Sequence, residues 1–279
     1  MSHETVYAIA SGKGGVGKTT ATVNLGTTLA QAGERVAIVD VDLGMANLAG
    51  FVSLTPDSTT LHDVLAGDAS VEDATYRLTD NIVAVPSGAT LEEYAKTEPG
   101  RLREVVETLR EAYDYVLLDV GAGVSHETVL PLGLADAVLL VSTPEPAAVH
   151  DTKKTIELTE RAGGEVEGIV INRVRPSDGV SYEEIADRLD VDLLATIPED
   201  SSVRESAFAG TPLVVHAPQC PASTAYRKLA VELADLELSA VDADADGEET
   251  DDAEGDDGSA TASHDDVSSA ITEAESNPQ

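Results

Sequence analysis

Residues 11–20 read SGKGGVGKTT and follow a short apolar run, Val6-Tyr7-Ala8-Ile9-Ala10. Within them Gly12, Gly17, Lys18 and Thr19 fit G-x-x-x-x-G-K-[ST], a pattern whose chemistry is the cradling of phosphate groups. Glycines let the backbone fold tightly around an anion. Successive N–H groups of such a loop form a nest aimed at phosphate oxygens. A helix opening at Lys18 adds the positive end of its dipole. The Lys18 ammonium supplies a full charge to the β and γ phosphates, and the Thr19 hydroxyl can hold Mg²⁺. The stretch Ser11, Gly12, Lys13, Gly14, Gly15, Val16, Gly17, Lys18, Thr19 and Thr20 is therefore the candidate nucleotide-binding loop. The bland alternative is a glycine-rich turn with no ligand; the strand before it and the helix after it weigh against that. Lys13 is a second lysine within the loop, and taken alone it reads equally as a solvated charge.

Acids stand where such a loop needs them. Asp40 and Asp42 close the second apolar run, and strand alternation puts them on the same side. Asp119 ends the run YVLLD and is followed by Val120-Gly121-Ala122-Gly123. An acid in that place holds Mg²⁺ directly or through water, and the glycines after it can bring backbone N–H groups near a γ-phosphate. Thr19, Asp40 and Asp119 are the candidate Mg²⁺ ligands. Any single acid could equally be a helix cap or a turn residue. Three on the sheet edge that carries a phosphate loop point to function.

These residues need a scaffold that brings strand ends together. Apolar runs recur at 5–10, 35–40, 82–86, 115–120, 137–142, 166–171 and 193–197, several nearly continuous in Val, Ile and Leu. Such runs are strands buried on both faces. Helical stretches lie between and after them, at 18–32, 61–66, 101–112, 147–162, 181–189, 202–209 and 222–237. The alternation predicts an α/β fold of the P-loop NTPase type, with a mainly parallel sheet and helices on both faces. Right-handed crossovers put the ligand crevice at the carboxyl ends of the strands. The stripe Ala225, Leu229, Leu233, Leu236 reads as core packing. After Ser239 the composition collapses to Asp, Glu, Ala, Ser, Gly and Thr, which predicts one domain over 1–238 and an acidic disordered tail over 239–279.

The chain has 279 residues and a formal net charge of −35. From Val241 to Gln279 there are 14 acids and no Lys or Arg, so residues 1–240 hold 38 acids against 17 bases. Lysine is confined to Lys13, Lys18, Lys96, Lys153, Lys154 and Lys228. Scarce lysine, 3% aromatics and abundant carboxylate suggest a protein built for a high-salt cytoplasm, where a Debye length of about 3 Å at 1 M salt screens self-repulsion. The same charge makes DNA an unlikely partner, because non-specific DNA binding rests on Lys and Arg, and direct attachment to an anionic membrane is doubtful for the same reason. Cys220 is the only cysteine, which excludes an intrachain disulfide and a CxxC metal pair and reads as a packing residue. No signal segment and no apolar stretch of roughly 20 residues is present, which points to the cytoplasm.

The run K-G-G-V-G-K-T-T resembles the deviant Walker A ATPases of the MinD/ParA family, and the similarity in order and spacing runs from about residue 5 to 236. The resemblance implies ATP and Mg²⁺ as ligands and a homodimer that forms with ATP, in which Lys13 reaches the partner's nucleotide. It makes Lys13, Lys18 and Asp42 the catalytic set, with Asp40 and Asp42 in switch I, Asp42 orienting the attacking water and Asn47 completing the segment. Asp119 with Gly121 to Gly123 resembles switch II, where the family often has proline at the place of Gly121. Glu145 would contact the partner's nucleotide. Asn172 and Arg173 match the adenine-side motif, and Pro198 and Asp200 belong to the loop lining the base's other side. Bacterial MinD ends in a basic amphipathic helix, whereas this chain ends in acid; a partner protein, as activator, cargo or membrane link, is therefore expected. The function implied is a slow, dimerisation-activated ATPase that positions cell-division, motility or surface machinery. The alternatives are a ParA-type DNA or cargo partitioner, an iron–sulfur carrier, for which one cysteine is insufficient, and a nucleotide-bound scaffold with negligible hydrolysis.

Overall fold

The computed structural model describes residues 4–54, 59–88, 90–123 and 126–234. The expected disordered tail, the 238/239 boundary and the end of the 222–237 helix, including Leu236, lie outside them. The strands are β1 (Thr5–Ala10), β2 (Val36–Asp40), β3 (Tyr76–Arg77), β4 (Ile82–Val85), β5 (Tyr115–Asp119), β6 (Ala137–Ser142), β7 (Val166–Val174) and β8 (Leu193–Pro198). The helices are α1 (Lys18–Gln31), α2 (Leu48–Phe51), α3 (Leu61–Ala66), α4 (Leu91–Tyr94), α5 (Leu102–Ala112), α6 (His126–Leu134), α7 (Pro146–Ala162), α8 (Tyr182–Leu189), α9 (Ser201–Ala209), α10 (Leu213–His216) and α11 (Pro221–Ala234).

The strands form one sheet in the order β3-β4-β2-β5-β1-β6-β7-β8. Every neighbouring pair is parallel except β3 with β4. Strand alternation splits the core in two. Val6, Ala8 and Ala10 of β1 face a layer that includes α3, α5, α6 and α8. Tyr7 and Ile9 face α1, α10 and α11 on the other side. All five of these residues are buried, which is why the runs are apolar throughout. Leu229 is buried in the second layer and Ala225 and Leu233 pack against it, as the stripe predicts.

Five elements fall outside the stretches named from the sequence: β3, α2, α4, α6 and α10. β3 has only two residues, too few to show alternation, and it caps the sheet edge in the antiparallel sense. α6 carries Pro131 and Gly133 inside a helix, both residues that disfavour one. Tertiary packing overrides both. A Cβ at Gly133 would sit 2.7 Å from the Ala162 carbonyl oxygen, so glycine lets α6 lie against the end of α7. The β-branched and threonine-rich α1 is similarly supported. Its Thr22, Thr27 and Thr28 hydroxyls donate to the carbonyls of Lys18, Val23 and Asn24, and a Cβ at Gly26 would meet Ile38 Cδ1 at 2.9 Å. The helix therefore lies close on the sheet and is aimed with little freedom.

Candidate functional site

Three strands end together where the phosphate loop begins. β1, β2 and β5 are adjacent, with Asp40 in register with Asp119 and Ile9 also in register with Asp119. The loop leaves β1 at Ser11, whose hydroxyl donates to the Lys13 carbonyl at 2.8 Å. Its start leans on α7, because a Cβ at Gly12 would lie 2.1 Å from the Asp151 carbonyl carbon. At its end Gly17 has φ 103° and caps α1, a backbone that L side chains adopt only with strain. The Asn172 amide donates to the Val16 carbonyl at 2.7 Å, pinning the loop from β7.

A cavity of about 520 Å³ opens in front of this loop, within the size range of small-ligand sites. It is lined by Gly14, Gly15, Gly17, Lys18, Thr19, Thr20, Asp42, Asn47, Asp119, Gly121 and Arg173, together with apolar neighbours such as Met45 and Phe51. Ser11, Gly12, Lys13, Val16, Asp40, Glu145, Asn172, Pro198 and Asp200 do not line it. Ser11 and Val16 are buried beneath the loop. Lys13 is exposed, and its charge is felt by Glu145 and Asp151 at the start of α7. Asp200 caps α9, accepting from the Ser202 N–H at 2.9 Å. Its carboxyl is held below the usual range by that bond, with Cys220 and Ala222 also donating. Cys220 in turn accepts from the Ser223 N–H at the start of α11, so the lone thiol has a capping role beyond packing.

Asp40 and Asp42 differ in burial and in partners. β2 ends at Asp40, yet Val39, Val41 and Leu43 all enter the same core layer, so the alternation runs on and leaves Asp40 and Asp42 on the other parity, both within electrostatic reach of Asp119. The Asp40 carboxylate is turned under the following loop and accepts the N–H groups of Asp42, Asn47 and Leu48 at 3.0–3.1 Å. Asp42 lies in the cavity wall instead. It accepts from the Met45 N–H at 3.1 Å and rests against the turn after β5, where a Cβ at Gly121 would come within 3.1 Å of its carboxyl carbon. Gly121 thus leaves the room that this carboxylate uses.

Burial dominates the electrostatics. Asp119 is pushed up to about 7 by burial and by the charge of Asp40, against a bond from the Thr19 hydroxyl and the Lys18 charge. Asp40 is pushed up to about 6 by burial, against its backbone bonds. Lys18 is pushed down by burial while Asp119 and Asp42 pull it back up. One buried ammonium is too little for two buried carboxylates, and a cation beside them would restore both to the ionised form. Among the described residues no cluster of three His, Cys, Asp or Glu could hold an ion alone. The donor set fits Mg²⁺ completed by a ligand's oxygens and water: Thr19, Asp119 and Asp40 are the residues that would hold it, and it would supply positive charge beside the phosphates.

The pattern of the "CobQ/CobB/MinD/ParA nucleotide binding domain" family matches residues 7–213. The chain belongs to this family. An uncharacterized ATP-binding protein of Methanocaldococcus jannaschii is 38% identical over 227 residues, covering 81% of this chain and 86% of that protein. The septum site-determining protein MinD of Pyrococcus horikoshii, solved in complex with Mg-ADP, has 38% identity and a TM-score of 0.78, covering 82% of this chain and 95% of that one. The cell division ATPase MinD of Pyrococcus furiosus has 39% identity and a TM-score of 0.79, covering 84% of this chain and all 100% of that one.

The MinD/ParA loop geometry makes a differential test possible. A Cβ at Gly17 would fall 2.2 Å from the Asn172 amide nitrogen, whereas one at Gly14 meets nothing within 4 Å. Gly17→Ala should cost about 1–2 kcal/mol of stability through backbone strain, a drop of roughly 3–6 °C in Tm. Gly14→Ala should melt with the wild type. Equal melting of both variants would show that the loop is not pinned as described.

Sequence reasoning passed over several residues that build the site. The Thr22 hydroxyl lies 3.4 Å from Asp119 Oδ1, Ser87 Oγ donates to the Asp40 carbonyl at 2.7 Å, and His62 Nε2 meets the Leu43 carbonyl at 3.1 Å. Only Thr22 carried a signal, one helical turn after Lys18 on the face that the loop presents to the sheet. Ser87 and His62 sit far along the chain from the switch they touch.

Proposed function

We propose that this chain is a slow MgATP hydrolase that dimerises on its nucleotide and serves as a switch for positioning cellular machinery. The observation that carries the reading is the split between the two loop lysines. Lys18 is buried in the wall of the cavity, whereas Lys13 of the same loop is exposed and outside it. A loop lysine turned away from its own cavity is suited to a nucleotide on another copy. The Mg-ADP held by the Pyrococcus horikoshii relative supports the ligand class.

In this reading the loop amides and Lys18 grip the triphosphate, and the Arg173 region borders the base. Bound Mg²⁺ would offset charge on the β and γ phosphates. Asn172 holds Val16, and with it the curvature of the nest. Asp42 orients water toward the γ-phosphate. The partner's Lys13, guided by Glu145, would settle on the transferring group and stabilise the charge that develops there. Loss of the γ-phosphate removes what both switches grip, and the dimer parts. The 239–279 segment, as an acidic tail, would keep the switch off anionic surfaces unless a partner protein carries it there. Light scattering and phosphate release, each with and without MgATP in molar KCl, test the reading. Mass doubling with slow turnover is expected; an unchanged mass with no phosphate released would end it.

The same reading places the protein in a high-salt cytoplasm. Glu160, Glu165, Glu167, Asp187, Asp190 and Asp192 crowd one groove at the opposite end of β7, and none of them has an ion-pair partner among the described residues. Their repulsion is weakened when the Debye length falls from about 10 Å at 0.1 M to about 3 Å at 1 M salt. Tm should therefore climb steadily from 0.1 to 2 M KCl; a flat or falling curve would remove the halophilic assignment.

A further inference from the structure

His62 is 1% exposed in α3, 19 residues from the carbonyl that its Nε2 meets. A carbonyl can only accept, so Nε2 carries the proton. Nδ1 then has no hydrogen-bond partner, although the Glu93 carboxylate lies near, since a Cβ built on Gly88 would touch both groups. An imidazole buried with one nitrogen unsatisfied has a cost. In return it fixes the carbonyl of Leu43, the residue directly after Asp42. On the other side of Asp42, Ser87 fixes the carbonyl of Asp40 at 2.7 Å. The turn Ser87-Gly88 after β4 thus works as one clamp. Ser87 holds the switch before Asp42, and the bare backbone of Gly88 leaves room for the imidazole that holds it after Asp42.

We infer that His62 is a positioning residue for hydrolysis, acting through the Leu43 carbonyl to hold the Asp42 carboxylate at the angle from which it orients water. This rests on the role proposed above for Asp42. Val41 and Leu43 bury their side chains in the core on either side of Asp42, and the bond from His62 adds a fixed direction to the Leu43 peptide that packing alone does not give.

The test compares His62→Leu, which fills the volume without a donor, with His62→Gln, whose amide nitrogen reaches close to the place of Nε2. His62→Leu should lower kcat for ATP at least ~10-fold through misplacement of Asp42, with KM for ATP unchanged within about twofold. His62→Gln should recover kcat to within about threefold of wild type. Hydrogen exchange supplies a readout that does not depend on turnover. The amides of Asp42, Met45, Asn47 and Leu48 should exchange at least ~10-fold faster in the Leu variant than in wild type and the Gln variant. Gly88→Ala, whose Cβ would press on Nδ1 at 2.3 Å, should reproduce the Leu phenotype if the Leu variant does not fold. Equal kcat in the Leu and wild-type proteins, or equal losses in the Leu and Gln variants, would overturn the inference. If wild type itself does not hydrolyse ATP, the functional reading fails, and the exchange rates alone decide whether His62 holds the switch.

Discussion

Alanine in place of Lys13 will leave MgATP affinity within about threefold of wild type and abolish ATP-driven dimerisation, with turnover falling by about 10³, the low end of what a trans-acting cation contributes to phosphoryl transfer. The side chain is exposed and outside the cavity that its own loop lines, so a single protomer binds nucleotide without it. Two copies of a chain with 38 acids against 17 bases over residues 1–240 repel each other, and bound triphosphates add to that repulsion. Something must invert it at the interface. Under molar salt the screening length is about 3 Å, so only groups in contact can do so, and a lysine laid on a phosphate is such a group. Asp151 and Glu145, which lie near Lys13 in the isolated protomer, give it a resting place that it must leave. Calorimetry with MgATP and light scattering on both proteins check this. A variant that still doubles in mass with ATP, or one that has lost nucleotide binding, would show that Lys13 serves its own chain.

What could be read from the residue order is what the fold builds locally. The phosphate loop is ten contiguous residues between a buried strand and a helix, and each neighbour supports the next. Asp119 is legible because an apolar strand must stop somewhere, and an acid at its end stands out. The long strands and α7 announce themselves by composition and period. The contacts that shape the site are of another kind. Asn172 lies 156 residues from Val16, and no local pattern reveals that an amide ends on that carbonyl. Asp40 and Asp42 read as a pair, and both stand within electrostatic reach of Asp119; what the order hides is that three amides capture the Asp40 carboxylate. His62 and Ser87 look like an ordinary helix residue and an ordinary turn residue until β4 is set beside β2. The short α2, α4 and α10 are four residues each, below the length at which helical period is visible. Positioning, more than chemistry, is what the linear order conceals here.

Removing the Asp42 carboxylate should have the opposite signature to removing the Lys13 ammonium. Asp42→Ala is expected to lower phosphate release at least ~100-fold through loss of water orientation, while ATP binding stays equal or tightens because a negative charge leaves the cavity wall. The dimer formed on MgATP should then persist. The alanine also frees the Met45 N–H and the pocket against Gly121, so part of the effect could be disorder of switch I. Asp42→Asn separates these causes. The amide oxygen still accepts from Met45 and fills the same space, yet it carries no charge to align water. If orientation is the role, both variants lose hydrolysis and both stay dimeric with ATP. If the carboxylate merely props up the loop, the asparagine variant turns over as wild type does. Phosphate release measured beside light scattering distinguishes the two, and wild-type turnover in Asp42→Ala would remove Asp42 from the reaction altogether.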